Sequence, residues 1–558
     1  MAAARLLFAV CILSVVALQA QVGGGPPTPV ADPARSRSSR LADQQSAPTV
    51  RQSTAESSRA DCRSCHSLEN GRVPGALDFL NSRSALSREE WAKESLLSVR
   101  CGACHLLPDP SNLARRSWKE AINHMVYIMI VRKVTVPSHE VLQDILHFYY
   151  TFSPENLPQL PPDPTPAESP LQFEPGIFGN AMSTNLADRP RIGNALVTDL
   201  DHDKHPDVVV SDLGQSAVTW IHRTNGVWRE ETLARVPFPG HAQVVDTRGD
   251  GNLDIVVASL GVMFPSDDLK GSVVLLVNDG KMHFTPRTIM SGLCRVADVE
   301  PGDFNGDGRV DFVVGSFGFI TQGGIGWLEQ MPDHSFAYHP ISNKAGVINV
   351  IPVDINGDGH LDFIALTAQE YEEVSAFIND GKGNFQEHVL WKAPTPAWGS
   401  ARIHLVDLNQ DGKVDILYCN GDVGDLPTVV PRPYDGVAWL ENKGNLNFEY
   451  HDLGRIYGAY DAVAGDLKGD GNLDIIVTTL FNDWSDPNRA SLLWLENDGK
   501  QNFARHTIAV QPIHLISAAI GDLDGDGKLD VITCGMNVFG PLDRMARLTL
   551  WRNLGRRP

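Results

Sequence analysis

The sequence has no excess of positive charge. Its 558 residues include 47 Lys and Arg against 68 Asp and Glu, which gives a formal net charge of -21. Because such a chain repels phosphate backbones, we do not expect nucleic acid as a partner. Residues 1–170 sum to +1, so residues 171–558 carry the remaining -22. The second part of the chain is therefore where cations should bind.

Long apolar runs are missing beyond the N-terminus. Residues 1–20 contain one early positive charge, an apolar run that is short for a membrane span, and small residues near Ala20. We interpret residues 1–20 as a signal peptide, with an uncleaved anchor as the alternative. We therefore expect a periplasmic or secreted protein that has no membrane span after signal cleavage.

Cysteines are few, at eight in the chain. Cys11 leaves with the predicted signal peptide, and four cysteines belong to two short motifs described below. The remaining three, Cys294, Cys419 and Cys534, are an odd number. We expect them to be small buried strand residues, and not a disulfide framework.

The composition changes several times along the chain. Residues 21–60 are rich in Pro, Gly, Ser and Gln, which predicts a disordered tether. Residues 61–152 contain apolar residues at helical spacing and predict a small all-α domain. Residues 153–170 are rich in proline and predict a semi-rigid linker. Residues 171–558 repeat one pattern and form the last predicted domain.

The repeat begins with an aspartate-rich segment such as DFNGDGRVD, followed by a short apolar run and an Asn/Asp-Gly hairpin signal. Each unit thus predicts about four short strands. Repeats of this length with four strands are typical of propeller blades, so we predict a mainly β chain with a seven-bladed β-propeller. The seven copies start at Asp199, Asp246, Asp303, Asp354, Asp407, Asp466 and Asp522.

The two ends of the repeat region complement each other. An aromatic residue begins each predicted fourth strand except in the last unit, which stops at Pro558 without one. Residues 169–178 match that missing strand, with Phe173 in register. We predict that this N-terminal strand completes the seventh blade and closes the ring. The other aromatic residues are Trp228, Phe284, Phe336, Phe385, Phe448 and Phe503.

The aspartate-rich segments predict cation sites. The pattern D-x-[DN]-x-D-G-x-x-D offers side-chain oxygens at positions 1, 3, 5 and 9, a set that suits Ca²⁺. The alternative is an acidic turn held by Asx hydrogen bonds alone. We expect about four or five structural Ca²⁺ ions, with copy one weaker because Lys204 replaces the glycine. The predicted ligands are Asp199, Asp201, Asp203, Asp207, Asp303, Asn305, Asp307, Asp311, Asp354, Asn356, Asp358, Asp362, Asp407, Asn409, Asp411, Asp415, Asp522, Asp524, Asp526 and Asp530.

Two copies break this pattern. Copy two has Arg248 at position 3 and copy six has Lys468 there. Because a positive side chain takes the place of a ligand, we expect both loops to be free of metal. The pattern in residues 171–558 resembles the FG-GAP/VCBS repeat family, the repeat of integrin α-subunit propellers. That resemblance implies a seven-bladed propeller and leaves the function open, since propellers are scaffolds.

Two C-x-x-C-H motifs lie in the predicted helical domain. One is Cys62, Cys65 and His66, and the other is Cys101, Cys104 and His105. This spacing attaches haem c: two thiols add to the vinyl groups, and the histidine becomes the proximal iron ligand. A dithiol or a zinc site is the alternative. The segment resembles a c-type cytochrome domain, and the second motif is similar to a c-haem segment fused to such propellers in bacterial exported proteins.

The distal haem ligands stay open at this point. Met125 and Met129 lie one turn apart on a predicted helix, and either could ligate the second haem or simply fill the core. The first haem would need His124, His139 or His147, or would be five-coordinate. We expect two haems within about ninety residues to exchange electrons rapidly.

When the seven repeats are aligned, one polar residue lies five positions before the first aspartate of each acidic loop, where the inner strand of a blade begins. We call this set of seven residues the ring column. We expect it to line the mouth of the axial channel, opposite the calcium loops, as a ligand site. The alternative is that the channel is wet and needs no ligand. The column consists of Asn194, His241, Asp298, Asn349, Arg402, Asp461 and Ser517.

These features favour an exported dihaem c-type cytochrome fused to a propeller that binds a redox protein partner or a small polar substrate. One alternative is a haem-coupled dehydrogenase with its site in the funnel, a layout that resembles quinoprotein dehydrogenases with attached cytochromes. Another is a calcium-dependent adhesion or glycan-binding propeller. The sequence has no Ser-His-Asp order, P-loop or dinucleotide fingerprint that would assign a catalytic residue.

Overall fold

A computed structural model describes residues 108–157, 160, 169–183, 188–424 and 429–557. The predicted signal peptide, the tether and both C-x-x-C-H motifs lie outside these residues. Everything described below belongs to one of two compact units, residues 87–558. Within the described ranges there are two α-helices, α1 (Trp118–Val131) and α2 (His139–Phe152). Neither is long and apolar enough to cross a membrane.

Strands account for the regular structure that follows the helices. The first half contains β1 (Leu171–Ile177), β2 (Ile192–Thr198), β3 (Asp207–Asp212), β4 (Ala217–Thr224), β5 (Val227–Arg235), β6 (Pro239–Val245), β7 (Asp254–Ser259), β8 (Gly271–Asn278), β9 (Phe284–Leu293), β10 (Val296–Gly302), β11 (Asp311–Ser316), β12 (Gly324–Gln330), β13 (Phe336–Ser342) and β14 (Val347–Val353).

The second half contains β15 (Asp362–Thr367), β16 (Glu373–Asn379), β17 (Phe385–Lys392), β18 (Ser400–Val406), β19 (Asp415–Asn420), β20 (Gly436–Asn442), β21 (Phe448–Arg455), β22 (Ala459–Gly465), β23 (Asp474–Thr479), β24 (Leu492–Asn497), β25 (Phe503–Ala509), β26 (Leu515–Gly521), β27 (Asp530–Gly535) and β28 (Leu548–Arg556).

These strands form seven four-stranded antiparallel sheets, so the fold is a seven-bladed propeller as predicted. Six blades use consecutive strands, from β2–β5 to β22–β25. The seventh has the order β26-β27-β28-β1, so the N-terminal strand closes the ring. Phe173 lies opposite Asn553, in the same register as Phe503 opposite Asn497. The predicted closure is therefore confirmed.

Burial is greatest in the second strand of each blade and falls from there toward the rim. All six residues of the second strand are buried in every blade, as in Asp311–Ser316 and Asp362–Thr367. Fourth strands alternate between exposed and half-buried residues, as in Phe448–Arg455. Strands covered on both faces read as continuous apolar runs, whereas strands with one wet face alternate. The core therefore lies between blades, where adjacent sheets pack face to face.

The three cysteines of the propeller are buried and unbridged, as the sequence predicts. Cys419 and Cys534 occupy second strands, and Cys294 follows β9. Burial raises the pKa of the Cys534 thiol to about 12, so this group stays protonated and unreactive at neutral pH.

The two helices pack on each other through aromatic rings. Trp118 stacks on Tyr149 with ring centroids 3.6 Å apart, and the edge of Phe148 meets Tyr149. The Trp118 Nε1–H donates to the Pro110 carbonyl at 3.2 Å. A buried indole needs such an acceptor, so this contact fixes the 108–112 segment against the helix pair.

Side chains join this helical segment to one face of the propeller. The Asn112 carbonyl accepts a hydrogen bond from Arg432 Nη1 at 2.6 Å, and Asn112 Nδ2 donates to Thr395 Oγ1 at 3.0 Å. Arg132 forms an ion pair with Glu370 at 2.6 Å. The propeller partners lie in loops between second and third strands or before an inner strand. The segment therefore covers the face on which the inner strands begin.

Candidate functional site

The acidic loops connect the first and second strands of each blade, on the face opposite the helical segment. In the third copy the Asp303 carboxylate accepts backbone hydrogen bonds from Gly306, Asp307 and Gly308 at 2.8 to 3.1 Å. Position 9, Asp311, opens β11 and is fully buried. The glycines at 306 and 308 have φ of +72° and +82°, which explains why the motif needs glycine there.

The donor set of the full copies fits a hard cation. Carboxylate oxygens of Asp522, Asp524 and Asp526 lie within 4.8 Å of one another. Burial, together with the charges of nearby aspartates, raises the pKa of Asp311 to about 6, and that of Asp207 likewise to about 6. Crowded carboxylates in a partly dry loop repel each other, and a divalent ion relieves that repulsion.

Copy six shows what replaces an ion. Lys468 Nζ lies 3.0 Å from Asp470, 3.5 Å from Asp474 and 3.6 Å from Glu496, and its side chain is 5% exposed. In copy two, Arg248 Nη2 similarly lies 3.2 Å from Asp254. Each internal cation occupies the space among the loop carboxylates, which supports the prediction that these two loops hold no metal.

Replacing this internal ammonium should create a new cation site. Lys468→Asn gives copy six the full pattern, DLNGDGNLD, and removes the charge among its carboxylates. We expect the variant to bind one more Ca²⁺ per chain than the wild type, as measured by equilibrium dialysis with radioactive calcium. Lys468→Met, which removes the charge without adding an oxygen, serves as the control and should gain none.

The predicted ring residues link neighbouring blades. Asp298 Oδ2 accepts the Val350 N–H of the next blade at 2.9 Å, and Asp461 Oδ2 accepts the Ala518 N–H at 3.0 Å. Asn349 Oδ1 accepts an N–H from the following blade in the same way. These acceptors thus join successive inner strands around the axis.

Most of the ring is buried. Asp298, Asp461 and Ser517 are 1%, 0% and 3% exposed, and Asn194 is 9% exposed. Pairing of the first two strands shifts register just before each ring position, as between Val296 and Asp298. This bulge turns the ring side chains toward the adjacent blade. His241 and Arg402 keep partly exposed side chains, at 16% and 17%.

His241 meets two carboxyl groups of the next blade. Its Nδ1 lies 2.6 Å from Asp298 Oδ1 and 3.6 Å from Glu300 Oε1. Burial alone would lower the pKa of His241, but the Asp298 charge, a hydrogen-bonding contribution from Asp298 and the Glu300 charge together outweigh burial and raise the pKa. Burial and the Asp298 charge raise the pKa of Glu300 to about 8. This cluster is the one place in the described ring where three such groups converge.

A second cluster lies across blades five and six. His404 Nε2 is 2.7 Å from Asp461 Oδ1, in a hydrogen bond, and Arg402 Nε is 3.9 Å from the same oxygen. Burial would raise the pKa of Asp461, but the charges of Arg402 and His404 lower it. Here the carboxylate already has positive partners.

Sequence reasoning missed Gln243, Glu300 and His404. These residues lie two positions after ring residues, on the same strand face, three positions before each loop aspartate. The same alignment of repeats that yields the ring column yields this one. Its other members are Leu196, Ile351, Val463 and Ala519, so the column lacks the uniform polarity that would have singled it out.

The predicted distal haem ligands lie on or beside the described helices. Met125 and Met129 are on α1, with Met125 37% exposed and Met129 half-buried. His124 is on α1, and His139 and His147 are on α2. Because both C-x-x-C-H motifs lie outside the described residues, the assignment of a distal ligand stays a prediction.

A buried carboxyl group on the propeller face that the helical segment covers makes the folding stability of the protein depend on pH. Glu372 is 4% exposed and accepts the Ser400 N–H at 2.9 Å. Burial raises its pKa to about 8. A carboxyl whose folded pKa exceeds its unfolded pKa supports folding fully at low pH, and this support is lost as the pH rises through the folded value.

We therefore expect Glu372→Gln to match the wild type near pH 4.5 and to be more stable above pH 8, by on the order of 3 kcal/mol. Glutamine keeps an acceptor for Ser400 and never ionises. Urea unfolding with calcium in excess, at both pH values, measures the difference. The exposed Glu140→Gln is the control. Equal stability of the Glu372 variant and the wild type above pH 8 would contradict the assignment.

Comparison with known proteins identifies the repeat. A family described as FG-GAP-like repeat matches residues 199–257, 246–314, 354–418 and 480–533. A T-cell immunomodulatory protein homolog of Plasmodium falciparum (isolate 3D7) is 23% identical over 279 residues, which is 43% of this chain and 37% of that relative. The chain thus spans little more than a third of the length of that relative. The matched repeats lie within the seven-bladed propeller.

Solved structures with similar backbones are distant in sequence. The Dos1 propeller is 10% identical with a TM-score of 0.40, and the match covers 66% of this chain and 79% of that one. BBS1N, solved in complex with ARL6DN, is 9% identical with a TM-score of 0.43, covering 70% of this chain and 99% of that one.

Proposed function

We propose that the protein is an exported electron-transfer protein, in which a dihaem c-type segment is fused to a calcium-stabilised propeller. The two C-x-x-C-H motifs carry the haem assignment, since their spacing matches covalent haem attachment. Haem c supplies a one-electron redox centre when bound. The propeller offers its helix-covered face to a redox partner protein or a small polar substrate.

One structural observation supports this arrangement above the others. His105 of the second motif precedes Pro108 by three positions, and the Pro108 carbonyl accepts the Tyr149 hydroxyl at 3.1 Å. The same segment continues to Asn112, which binds Arg432 and Thr395 of the propeller. The described chain thus begins three positions after His105, with a segment that contacts the propeller face carrying the ring.

Visible spectroscopy of motif variants tests this proposal. The chain is expressed in a host that matures c-type cytochromes, and reduced-minus-oxidised spectra are compared per chain. Replacing both cysteines of either motif, as Cys62→Ser with Cys65→Ser or Cys101→Ser with Cys104→Ser, should remove about half of the wild-type signal. Absence of any haem band in the wild type would refute the electron-transfer proposal.

A second candidate function is a haem-coupled dehydrogenase with its active site in the axial ring. The cluster of His241, Asp298 and Glu300 favours it, because acid and base groups converge there. Haem reduction by a substrate without an added dehydrogenase would support it. A third candidate is calcium-dependent binding by the propeller alone. The acidic loops favour it, and intact binding by a haem-free chain would support it.

A further inference from the structure

The axial ring contains a set of side chains suited to a transition metal. His241 belongs to β6, and Asp298 and Glu300 belong to the adjacent inner strand β10. We propose that His241, Asp298 and Glu300 bind one divalent transition-metal ion, of the class of Zn²⁺, in the axial channel. This site is separate from the acidic loops, which lie on the opposite face, and shares no residue with the C-x-x-C-H motifs.

The distances between the three ligand atoms suit a common ion. All three lie within 4.8 Å of one another. Ligands about 2.1 Å from a tetrahedral metal lie about 3.4 Å apart. The 3.6 Å from His241 Nδ1 to Glu300 Oε1 already fits, and the 2.6 Å from Nδ1 to Asp298 Oδ1 needs to open by less than an ångström.

His241 Nδ1 is buried and makes no aligned hydrogen bond, although Asp298 Oδ1 lies 2.6 Å away. A metal ion bound here would take the place of the proton in this close polar contact. His404 and Asp461, in contrast, form a regular hydrogen bond at 2.7 Å.

Neighbouring groups hold both carboxylates in place. Asp298 Oδ2 accepts the Val350 N–H at 2.9 Å and Asn349 Nδ2 at 3.3 Å, which leaves Oδ1 facing His241. Gln243 Nε2 donates to Glu300 Oε1 at 3.0 Å. Metal-binding carboxylates are commonly oriented by hydrogen bonds of this kind from outer residues. The site is also built on sheet strands, which keep its geometry rigid.

Among the described residues, Asp298 and Glu300 have one ion-pair partner, His241. Arg402 lies beside Asp461, 3.9 Å from its Oδ1. A divalent ion that enters the cluster of His241, Asp298 and Glu300 would therefore displace no ammonium or guanidinium group.

The ligand types select a transition metal over calcium. An imidazole nitrogen with carboxylate oxygens suits Zn²⁺ and its first-row neighbours, whereas Ca²⁺ prefers six to eight oxygens. Among common divalent ions other than Cu²⁺, such a site binds Zn²⁺ among the most tightly. Zinc is therefore the probe of choice.

Metal binding by the holoprotein tests this proposal. The purified haem-loaded chain is titrated with Zn²⁺ by calorimetry in a large excess of Ca²⁺, which keeps the acidic loops filled. We expect one tight site per chain. His241→Ala and Asp298→Asn should each weaken that site by at least about tenfold. Asparagine at 298 still accepts the Val350 N–H, so the blade linkage survives.

His404→Ala is the matched control, because it removes the other described histidine that contacts a ring carboxylate. Its zinc affinity should equal that of the wild type. X-ray absorption at the zinc edge should show imidazole and oxygen ligands without sulfur. The proposal is overturned if the wild type binds no zinc in excess calcium, if His241→Ala binds it equally well, or if sulfur ligands appear.

Discussion

Removal of calcium with EGTA is expected to lower the stability of the propeller more than any single substitution. Each ion bound only by the folded state adds about 2.7 kcal/mol when calcium exceeds its Kd a hundredfold. Four or five loops then contribute roughly 10 kcal/mol, which is comparable to the whole stability of a typical domain. Differential scanning calorimetry with and without EGTA should show a steep fall in the unfolding temperature that added Ca²⁺ reverses.

Two aspartate variants distinguish loops that bind calcium from loops that are held by Asx hydrogen bonds alone. Asp354→Asn removes a charged ligand from a full copy, and asparagine keeps one acceptor oxygen for the Gly357 N–H while it loses the Oδ2 that accepts the Gly359 N–H. This variant should bind one Ca²⁺ fewer. Asp246→Asn makes the same change in copy two, where Arg248 occupies the loop, and should leave the calcium count unchanged. An unfolding temperature insensitive to EGTA would show that the loops are Asx turns without ions.

Arg547→Ala is expected to destabilise the protein by about 3–5 kcal/mol, because it removes the positive partner of two buried carboxylates. Arg547 precedes β28, and its Nε lies 2.9 Å from Asp212 while Nη2 lies 2.5 Å from Glu230. The side chains of all three residues are 6% exposed or less. This contact joins blade seven to blade one, where the ring closes. Urea unfolding in saturating calcium measures the loss.

Arg552→Ala is the control, at an exposed ion pair within blade seven. Arg552 pairs with Glu174 and Asp524, but its side chain is 46% exposed, so water and salt screen these pairs. We expect little change in its unfolding midpoint. If Arg547→Ala were no more destabilising than Arg552→Ala, the buried pair would not hold the ring closed.

Much of the fold follows from the sequence because the acidic motif recurs once in each blade. Each loop aspartate precedes a buried strand, so the spacing of Asp199 to Asp522 yields the blade count directly. Phe173 predicts the closing strand because an aromatic residue occupies the same register in the other blades. Lys468 and Arg248 identify two divergent loops, since each places a positive charge beside loop carboxylates.

The ring and the docking of the helices depend on contacts that no local pattern specifies. The bulge before Asp298 turns its side chain toward Val350 of the next blade, and the partner lies 52 residues away. Glu300 lies beside Asp298 because residues two positions apart on a strand share one face. The residues at the same position of the other repeats are mostly apolar, so the sequence did not single it out. Arg432 reaches Asn112 across 320 residues, so only the folded chain brings them together.

The haem content of the purified chain tests the central proposal most directly. The chain is produced in a host that matures c-type cytochromes, and a pyridine haemochrome spectrum is compared with the protein concentration from amino-acid analysis. The two C-x-x-C-H motifs predict two covalent haems per chain. A chain with no covalent haem would contradict the account and would leave a calcium-stabilised propeller whose function is binding.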